Sequence, residues 1–193
     1  MSEQGRDGAR RPAAERSPTR VVGWAKTAER SAPVFTIKRL NHAVLWVRDA
    51  GRASAFYQDV LGFTVVEAMG DRAVFLRANG SDNHHDLGLF GIGQQAPPPS
   101  HGDRVGLYHL AWEVETLPDL AEARRALLAT GALEGESDHG NSLSLYAKDP
   151  DGNEFEVFWM LPREEWETRQ FGTRRLDLQG ELTRRGFAAA ATE

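Results

Sequence analysis

Two histidines and one carboxylate occupy comparable places in short apolar segments of the chain. His42 stands in the sequence Leu-Asn-His-Ala-Val, His109 in Tyr-His-Leu-Ala-Trp, and Glu156 in Asn-Glu-Phe-Glu-Val. Each segment predicts a β-strand, so a suitable fold would place the three side chains on one surface. Two imidazoles and one carboxylate form the ligand set that leaves three positions open on a non-heme Fe(II) ion, as in oxygenases. The sequence therefore predicts a metal site that small molecules can reach.

Composition limits the classes of protein to which the chain can belong. Its 193 residues suit one domain with extensions, and 40% hydrophobic and 26% charged residues are typical of a globular protein. The absence of cysteine excludes thiolate ligands and disulfides, which leaves His, Asp and Glu as metal ligands. A formal charge of −5 disfavours nucleic acid as a partner. No apolar segment has the length of a membrane span or a signal core, so we expect a cytoplasmic protein with no membrane partner.

A strand–helix–strand pattern begins near residue 37. Alternating residues predict a strand over residues 40–47, and Asp49 is a plausible N-cap for a helix over residues 51–60. Three more strands are predicted, over residues 63–68, 73–78 and 87–92. This β-α-β-β-β arrangement is called module one, residues 36–95.

The same order recurs after a proline-rich linker. A strand over residues 105–114, a helix over 117–130, and strands over 133–136, 142–147 and 155–160 make up module two, residues 104–161. The residues around His42 align with those around His109, so the two modules form an internal repeat. Side by side, they would curl their sheets into a cup into which both histidines and Glu156 point. The predicted fold class is α+β, with two paired βαβββ modules forming a cupped mixed sheet around a metal site.

Extensions are predicted on both sides of this domain, which covers residues 34–162. Residues 1–33 are polar with little periodicity and predict a flexible arm, in which only residues 21–24 favour docking on a partner subunit. Residues 163–193 predict a helical extension and tail that covers the cup or mediates dimerisation. We therefore expect a homo-oligomer, a dimer or higher.

The whole combination resembles the vicinal oxygen chelate superfamily, which includes glyoxalase I, bleomycin resistance proteins and type I extradiol dioxygenases. The resemblance covers roughly residues 37–160, and the turn at residues 149–153 followed by Glu156 is a frequent marker of the superfamily. It implies the paired-module fold and does not by itself imply the reaction.

Further positions resemble the extradiol branch in particular. His85, the second member of the His84-His85 pair, resembles its acid/base histidine, and His139 resembles a histidine that hydrogen-bonds the substrate. Tyr146 precedes Glu156 by ten residues (156 − 146), as the active-site tyrosine of that branch does. Asn141 resembles an asparagine near the substrate. The best-known extradiol enzymes have four modules, so this chain, with one pair, is most like the short single-domain members.

The resemblance implies a ring-cleaving enzyme. It would add both atoms of O2 to a catechol-type diol, beside the two hydroxyls, and give a semialdehyde-type product of aromatic hydrocarbon catabolism. Fe(II) is the expected metal and Mn(II) the alternative, since the ligand set suits both. His85 would accept and return a proton. Tyr146, His139 and Asn141 would contact the substrate, Tyr146 as a hydrogen-bond donor.

Two other functions stay open. A glyoxalase-type isomerase or lyase would want a fourth metal ligand from the last strand of module one. Residues 87–90 offer none, and Asp86 is the one near candidate. A non-catalytic resistance protein that binds small molecules such as drugs would leave two histidines and a glutamate at the metal positions without a purpose.

Overall fold

Each half of the described chain folds as one β-α-β-β-β unit, in a computed structural model that describes residues 35–100 and 102–187. All helices and strands of these residues lie in the unit that starts at Arg39. The flexible arm predicted for residues 1–33 and the last part of the predicted tail, residues 188–193, lie outside the described residues.

Module one contains four strands and one helix. Its elements are β1 (Ala43–Val47), α1 (Ala50–Leu61), β2 (Thr64–Ala68), β3 (Ala73–Arg77) and β4 (Leu87–Gly91). The sheet has the order β1-β4-β3-β2, in which β1 and β4 are parallel and the other pairs antiparallel. The predicted cap is confirmed, because the Asp49 side chain accepts a hydrogen bond from the backbone N–H of Arg52.

Module two repeats this topology. Its elements are β5 (Leu110–Glu113), α2 (Leu117–Ala129), β6 (Leu133–Asp138), β7 (Ser142–Lys148) and β8 (Glu154–Met160), with the sheet order β5-β8-β7-β6. Again the first and last strands are parallel neighbours. The α+β class and the two βαβββ modules are therefore confirmed.

The two strands that follow the histidines are shorter than predicted. β1 starts at Ala43 and β5 at Leu110, so His42 and His109 each stand one residue before a strand. The cause is the partner strand: the β1–β4 ladder starts where Ala43 pairs with Leu87, and the β5–β8 ladder where Leu110 pairs with Phe155. Residues before these points have no ladder to join.

The buried apolar residues lie on the face of each sheet that its helix covers. They include Leu45, Val47, Leu76, Leu87 and Leu89 with Tyr57 in module one, and Leu143, Leu145, Phe155 and Val157 with Leu120 and Leu127 in module two. Successive residues of a strand point to opposite faces, so Val44 and Trp46 lie on the open face, where they are 51% and 66% exposed. Phe56 of α1 and Trp112 of β5 pack against both cores, which joins the modules through their covered sides.

The turn at residues 149–153 also joins the modules. The buried carboxylate of Asp151 lies 3.0 Å from Arg48 Nη1 and 2.6 Å from Arg52 Nη2, at the start of α1. Asp149 holds the turn itself, because its Oδ1 accepts hydrogen bonds from the backbone N–H groups of Asp151 and Asn153, both at 2.9 Å. The superfamily marker seen in the sequence therefore has a structural role.

The C-terminal segment packs on module two. A short 3₁₀ turn, Arg163–Glu165, leads through irregular chain to α3 (Leu178–Arg184). Leu176, Leu178 and Leu182 are buried in the module-two core. None of the helices in the described ranges combines the length and the apolarity that crossing a membrane requires.

Candidate metal centre

His109 and Glu156 form the centre of the site in module two. Glu156 lies between the buried residues Phe155 and Val157 of β8, so its side chain projects from the open face of the sheet. Its Oε2 is 3.1 Å from Nε2 of His109. Two ligands bound at right angles to one ion, each at about 2.1 Å, would lie about 3.0 Å apart. The separation of these two atoms thus fits a shared cation.

Tyr146 and His139 extend this site. The β7–β8 register pairs Tyr146 with Glu156, and the Tyr146 ring lies 5.8 Å from the ring of His109 between centroids. His139, just after β6, places Nε2 2.7 Å from the hydroxyl oxygen of Tyr146. Burial, followed by the negative charge of Glu156, raises the pKa of Tyr146. The phenol therefore keeps its proton at neutral pH and can donate a hydrogen bond.

His42 and His85 form a second group, in module one. Their rings lie 4.5 Å apart between centroids, and the His85 ring also contacts Phe75 at 5.2 Å. His84 approaches His85 with 3.1 Å between the two Nδ1 atoms. Burial, followed by the charges that His42 and His84 carry when protonated, lowers the pKa of His85. His85 is therefore mainly neutral at pH 7 and can accept a proton.

The three predicted ligands are not brought together. Among residues 35–100 and 102–187, no three His, Asp or Glu side chains converge as a metal site would require. His109 lies beside Glu156, whereas His42 lies with His85 at the edge of the other sheet, and the two sheets share no ladder. The distance between His109 and Glu156 thus fits metal binding, whereas the third predicted ligand, His42, lies in the other module.

Module one has no counterpart of Glu156. The ladders that start at Ala43–Leu87 and Leu110–Phe155 make Gly88 the equivalent of Glu156. Asp86, the alternative donor considered from the sequence, is engaged inside its own loop. Its carboxylate accepts hydrogen bonds from Ala78 N at 2.9 Å and from the Ser81 hydroxyl at 2.7 Å. A fourth ligand from this strand, which an isomerase would want, is therefore not offered.

Asn141 lies two residues after His139, and two residues that the sequence interpretation missed, Arg169 and Thr173, contact the same loop. The structure gives Asn141 a backbone contact, since its carbonyl oxygen accepts from Leu161 N at 2.9 Å. Thr173 places Oγ1 3.4 Å from His139 Nδ1, and Arg169 Nη1 lies 3.7 Å from Asp138 Oδ2. Neither is near His139 in the sequence, and no local pattern indicates the contacts.

The sequence is similar to one described protein family and to several known proteins. Residues 39–157 match the family described as the Glyoxalase/Bleomycin resistance protein/Dioxygenase superfamily. The chain is 31% identical over 152 residues to a catechol-2,3-dioxygenase of Bacillus subtilis (strain 168), covering 76% of this chain and 52% of that protein. It is 35% identical over 120 residues to biphenyl-2,3-diol 1,2-dioxygenase 3 of Rhodococcus globerulus, covering 62% of each. It thus spans less than two thirds of the length of these relatives.

A solved structure agrees with the fold. Lactoylglutathione lyase from Agrobacterium tumefaciens matches with a TM-score of 0.50 and 27% identity, over 64% of this chain and 95% of that one. The paired-module fold therefore recurs in a protein whose name refers to a lyase, whereas the two relatives above are named as dioxygenases.

Proposed function

The chain belongs to the Glyoxalase/Bleomycin resistance protein/Dioxygenase superfamily, and from that premise we propose that it is an extradiol dioxygenase that cleaves the ring of catechol-type diols. The observation that carries the proposal is the arrangement of Tyr146, with its partner His139, beside the His109–Glu156 pair. The names of the two dioxygenase relatives, both of which refer to aromatic diols, support it.

The proposed metal is Fe(II), with Mn(II) as the alternative. His42, His109 and Glu156 would hold it, and when bound it would supply Lewis-acid and O2-activating chemistry to the diol. The 3.1 Å separation of His109 Nε2 and Glu156 Oε2 supports this assignment. His42 is exposed, so its imidazole can bind a metal whose other ligands come from elsewhere.

The protein side chains would handle protons and orientation. His85, neutral at pH 7, takes a proton from a catechol hydroxyl and later returns it to the product. The Tyr146 hydroxyl donates a hydrogen bond to a substrate oxygen, and His139 holds that hydroxyl in place. Both oxygen atoms of O2 enter the product as the ring carbon–carbon bond next to the diol breaks, so no external reductant is consumed.

A second copy of the chain is proposed to complete the metal site. In a two-fold dimer, His42 of each copy would approach His109 and Glu156 of the other, giving two identical sites. The open face around His42 supports this, because Val44 and Trp46 are apolar and largely exposed there. Exposed apolar surface of this kind is typical of an interaction site. Tyr108, 74% exposed beside His109, offers matching apolar surface on module two.

Other reactions of the superfamily are less well supported. The likeness to lactoylglutathione lyase keeps a metal-dependent isomerase or lyase as the alternative, and a small-molecule binding protein is the other. Gly88, which stands where module two has Glu156, provides no fourth ligand for an isomerase. A pure binding protein would have no use for Tyr146 and His85 beside the metal-binding side chains.

Reconstitution tests the proposal. Protein loaded anaerobically with Fe(II), and separately with Mn(II), is mixed in air with catechol, methylcatechol and dihydroxybiphenyl, and a parallel sample receives lactoylglutathione, the compound in the name of the lyase. We expect O2 uptake and a yellow ring-cleavage product with at least one diol. Metal-loaded protein that leaves every diol unchanged would overturn the proposal, and conversion of lactoylglutathione in the parallel sample would favour the isomerase or lyase.

A further inference from the structure

Residues 169–174, here called the strap, run along the end of β6 where His139 is located. Asp138 and Arg174 exchange two backbone hydrogen bonds of 2.9 Å, and Gly172 N donates to His139 O at 3.3 Å. The fit is close, since a Cβ atom added to Gly140 would lie 2.5 Å from the carbonyl oxygen of Gln170. The strap therefore fixes the backbone on both sides of His139. It lies outside residues 39–157, which match the family.

Charged side chains anchor the strap at its other end. Arg169 pairs with the buried carboxylate of Glu181 in α3 and lies 3.6 Å from Glu165 and 3.7 Å from Asp138. Burial opposes ionisation of Glu181, but hydrogen bonds from Arg169 and Arg184 outweigh it and lower the pKa of Glu181. Because α3 is held by Leu178 and Leu182 in the core, Arg169 connects a rigid helix to the residue next to His139.

Thr173 connects the strap to the His139 ring itself. Its Oγ1 lies 3.4 Å from Nδ1, while Nε2 of the same ring lies 2.7 Å from the Tyr146 hydroxyl. A neutral imidazole has one donor nitrogen and one acceptor nitrogen, and each of the two hydroxyls can donate or accept, so two arrangements fit these distances. If the Thr173 hydroxyl donates to Nδ1, Nε2–H donates to the Tyr146 oxygen, and the phenol hydrogen is free to point elsewhere. In the opposite tautomer, Nε2 would accept the phenol hydrogen.

We propose that the strap is a positioning element of the site, in which Arg169 fixes the His139 loop and the Thr173 hydroxyl donates to Nδ1 of His139, the arrangement that leaves the Tyr146 hydrogen free for the substrate. The inference rests on the proposed function for its catalytic meaning. Arg169 and Thr173 are positioning residues, because they act through His139. The contacts of Arg169 and Thr173 with the His139 loop belong to the protein alone, so they can be measured without metal.

The first test determines the tautomer of the His139 imidazole. In metal-free protein at a pH where His139 is neutral, ¹H–¹⁵N NMR of the imidazole should show the Nε2–H form. Thr173→Val, which keeps the shape and removes the hydroxyl, should abolish this preference, and Thr173→Ser should restore it. In the active enzyme Thr173→Val should lower kcat about fivefold with little change in KM, since about one hydrogen bond is lost. An unchanged tautomer in Thr173→Val would overturn the assignment.

The second test measures how firmly the backbone of the His139 loop is held. Arg169→Gln should speed hydrogen exchange of the His139 amide, which donates to Ser142 O at 2.9 Å, by about tenfold, because loss of the charged contacts of Arg169 raises the population of the locally opened loop. Arg184→Gln is the matched control, because Arg184 also pairs with Glu181 at 3.2 Å and has no ion pair with Asp138 among the described contacts. Equal exchange in the two variants would overturn the role of Arg169. If the wild-type protein cleaves no diol, the proposed function fails, whereas the tautomer and exchange results still decide the strap.

Discussion

Nε2 of His109 lies 3.1 Å from Oε2 of Glu156, and in the described part of the chain no third donor joins them. The pairing of β5 with β8 fixes the relationship, because Ala111, two residues after His109, lies opposite Glu156. A carboxylate on a sheet face is costly to desolvate unless a cation or donor accompanies it. We therefore propose that the pair supplies two of the three ligands of a metal site.

If a second copy supplies His42, two inactive variants should restore activity when they form mixed dimers. His42→Ala and Glu156→Ala lose different ligands, and a dimer with one chain of each type keeps one site with all three. Random pairing makes half of the dimers mixed, so we expect about a quarter of the wild-type activity after the two are unfolded and refolded together.

The control for this experiment is each variant refolded alone, which should stay inactive and bind little metal. If the site forms within one chain, no mixture can contain an intact site. Continued absence of activity, with mixed dimers demonstrated by mass spectrometry, would contradict the second-copy arrangement while leaving the reaction itself untouched.

His85→Ala should separate proton transfer from metal binding. The imidazole contacts His42 but is not a proposed ligand, so metal content should stay the same. Turnover should fall by about a hundredfold or more, the usual range for loss of a general acid/base. Metal analysis and steady-state kinetics measure the two effects. His84→Ala, which changes the exposed neighbour, should have a much smaller effect, and a His85→Ala enzyme with full activity would rule out the role.

Asp151→Asn should destabilise the protein strongly. The change removes the charge that Arg48 and Arg52 meet at 3.0 and 2.6 Å, and breaking a buried pair in this way costs about 3 kcal/mol of unfolding free energy. Urea denaturation measures the loss. Asp59→Asn, on the exposed side of α1, is the matched control and should change stability by less than about 0.5 kcal/mol. Equal midpoints would show that the turn does not join the modules.

The Glu181 carboxylate should make stability depend on acid pH. Its pKa is lowered from the ordinary value of 4.5, so its contribution is complete above that value and disappears as pH falls through the lower folded pKa. Glu181→Gln should therefore cost about 2 kcal/mol at pH 7 and progressively less as the pH falls below 4.5. Thermal unfolding across this range, with Glu164→Gln as the exposed control, provides the measurement. A difference that stays constant with pH would exclude the charge as its source.

The elements could be predicted because their causes are local. Alternating apolar residues give β4 and β8, and Asp49 and Pro118 mark the starts of the two helices of the modules. The sequence repeat around His42 and His109 predicted that the two modules are equivalent. The β1–β4 and β5–β8 pairings confirm this prediction.

The assembly of the site could not be predicted in this way. Which faces of the two sheets approach one another depends on Phe56 and Trp112 packing between the cores, and the alternating pattern of a strand does not encode that choice. The strap is a further case, because Asp138 and Arg174 pair across 36 residues with no periodic signal on either side.

Isotope labelling shows whether both atoms of O2 enter the product when this chain cleaves a catechol, as we propose. Wild-type protein reconstituted with Fe(II), and a Glu156→Gln control treated identically, are supplied with catechol under ¹⁸O₂, and the products are analysed at once by mass spectrometry. We expect a ring-opened product that carries two ¹⁸O atoms at the moment of cleavage, formed by the wild-type protein and not by the control. No ring-opened product from metal-loaded wild-type protein, or a product without ¹⁸O, would contradict the proposed function.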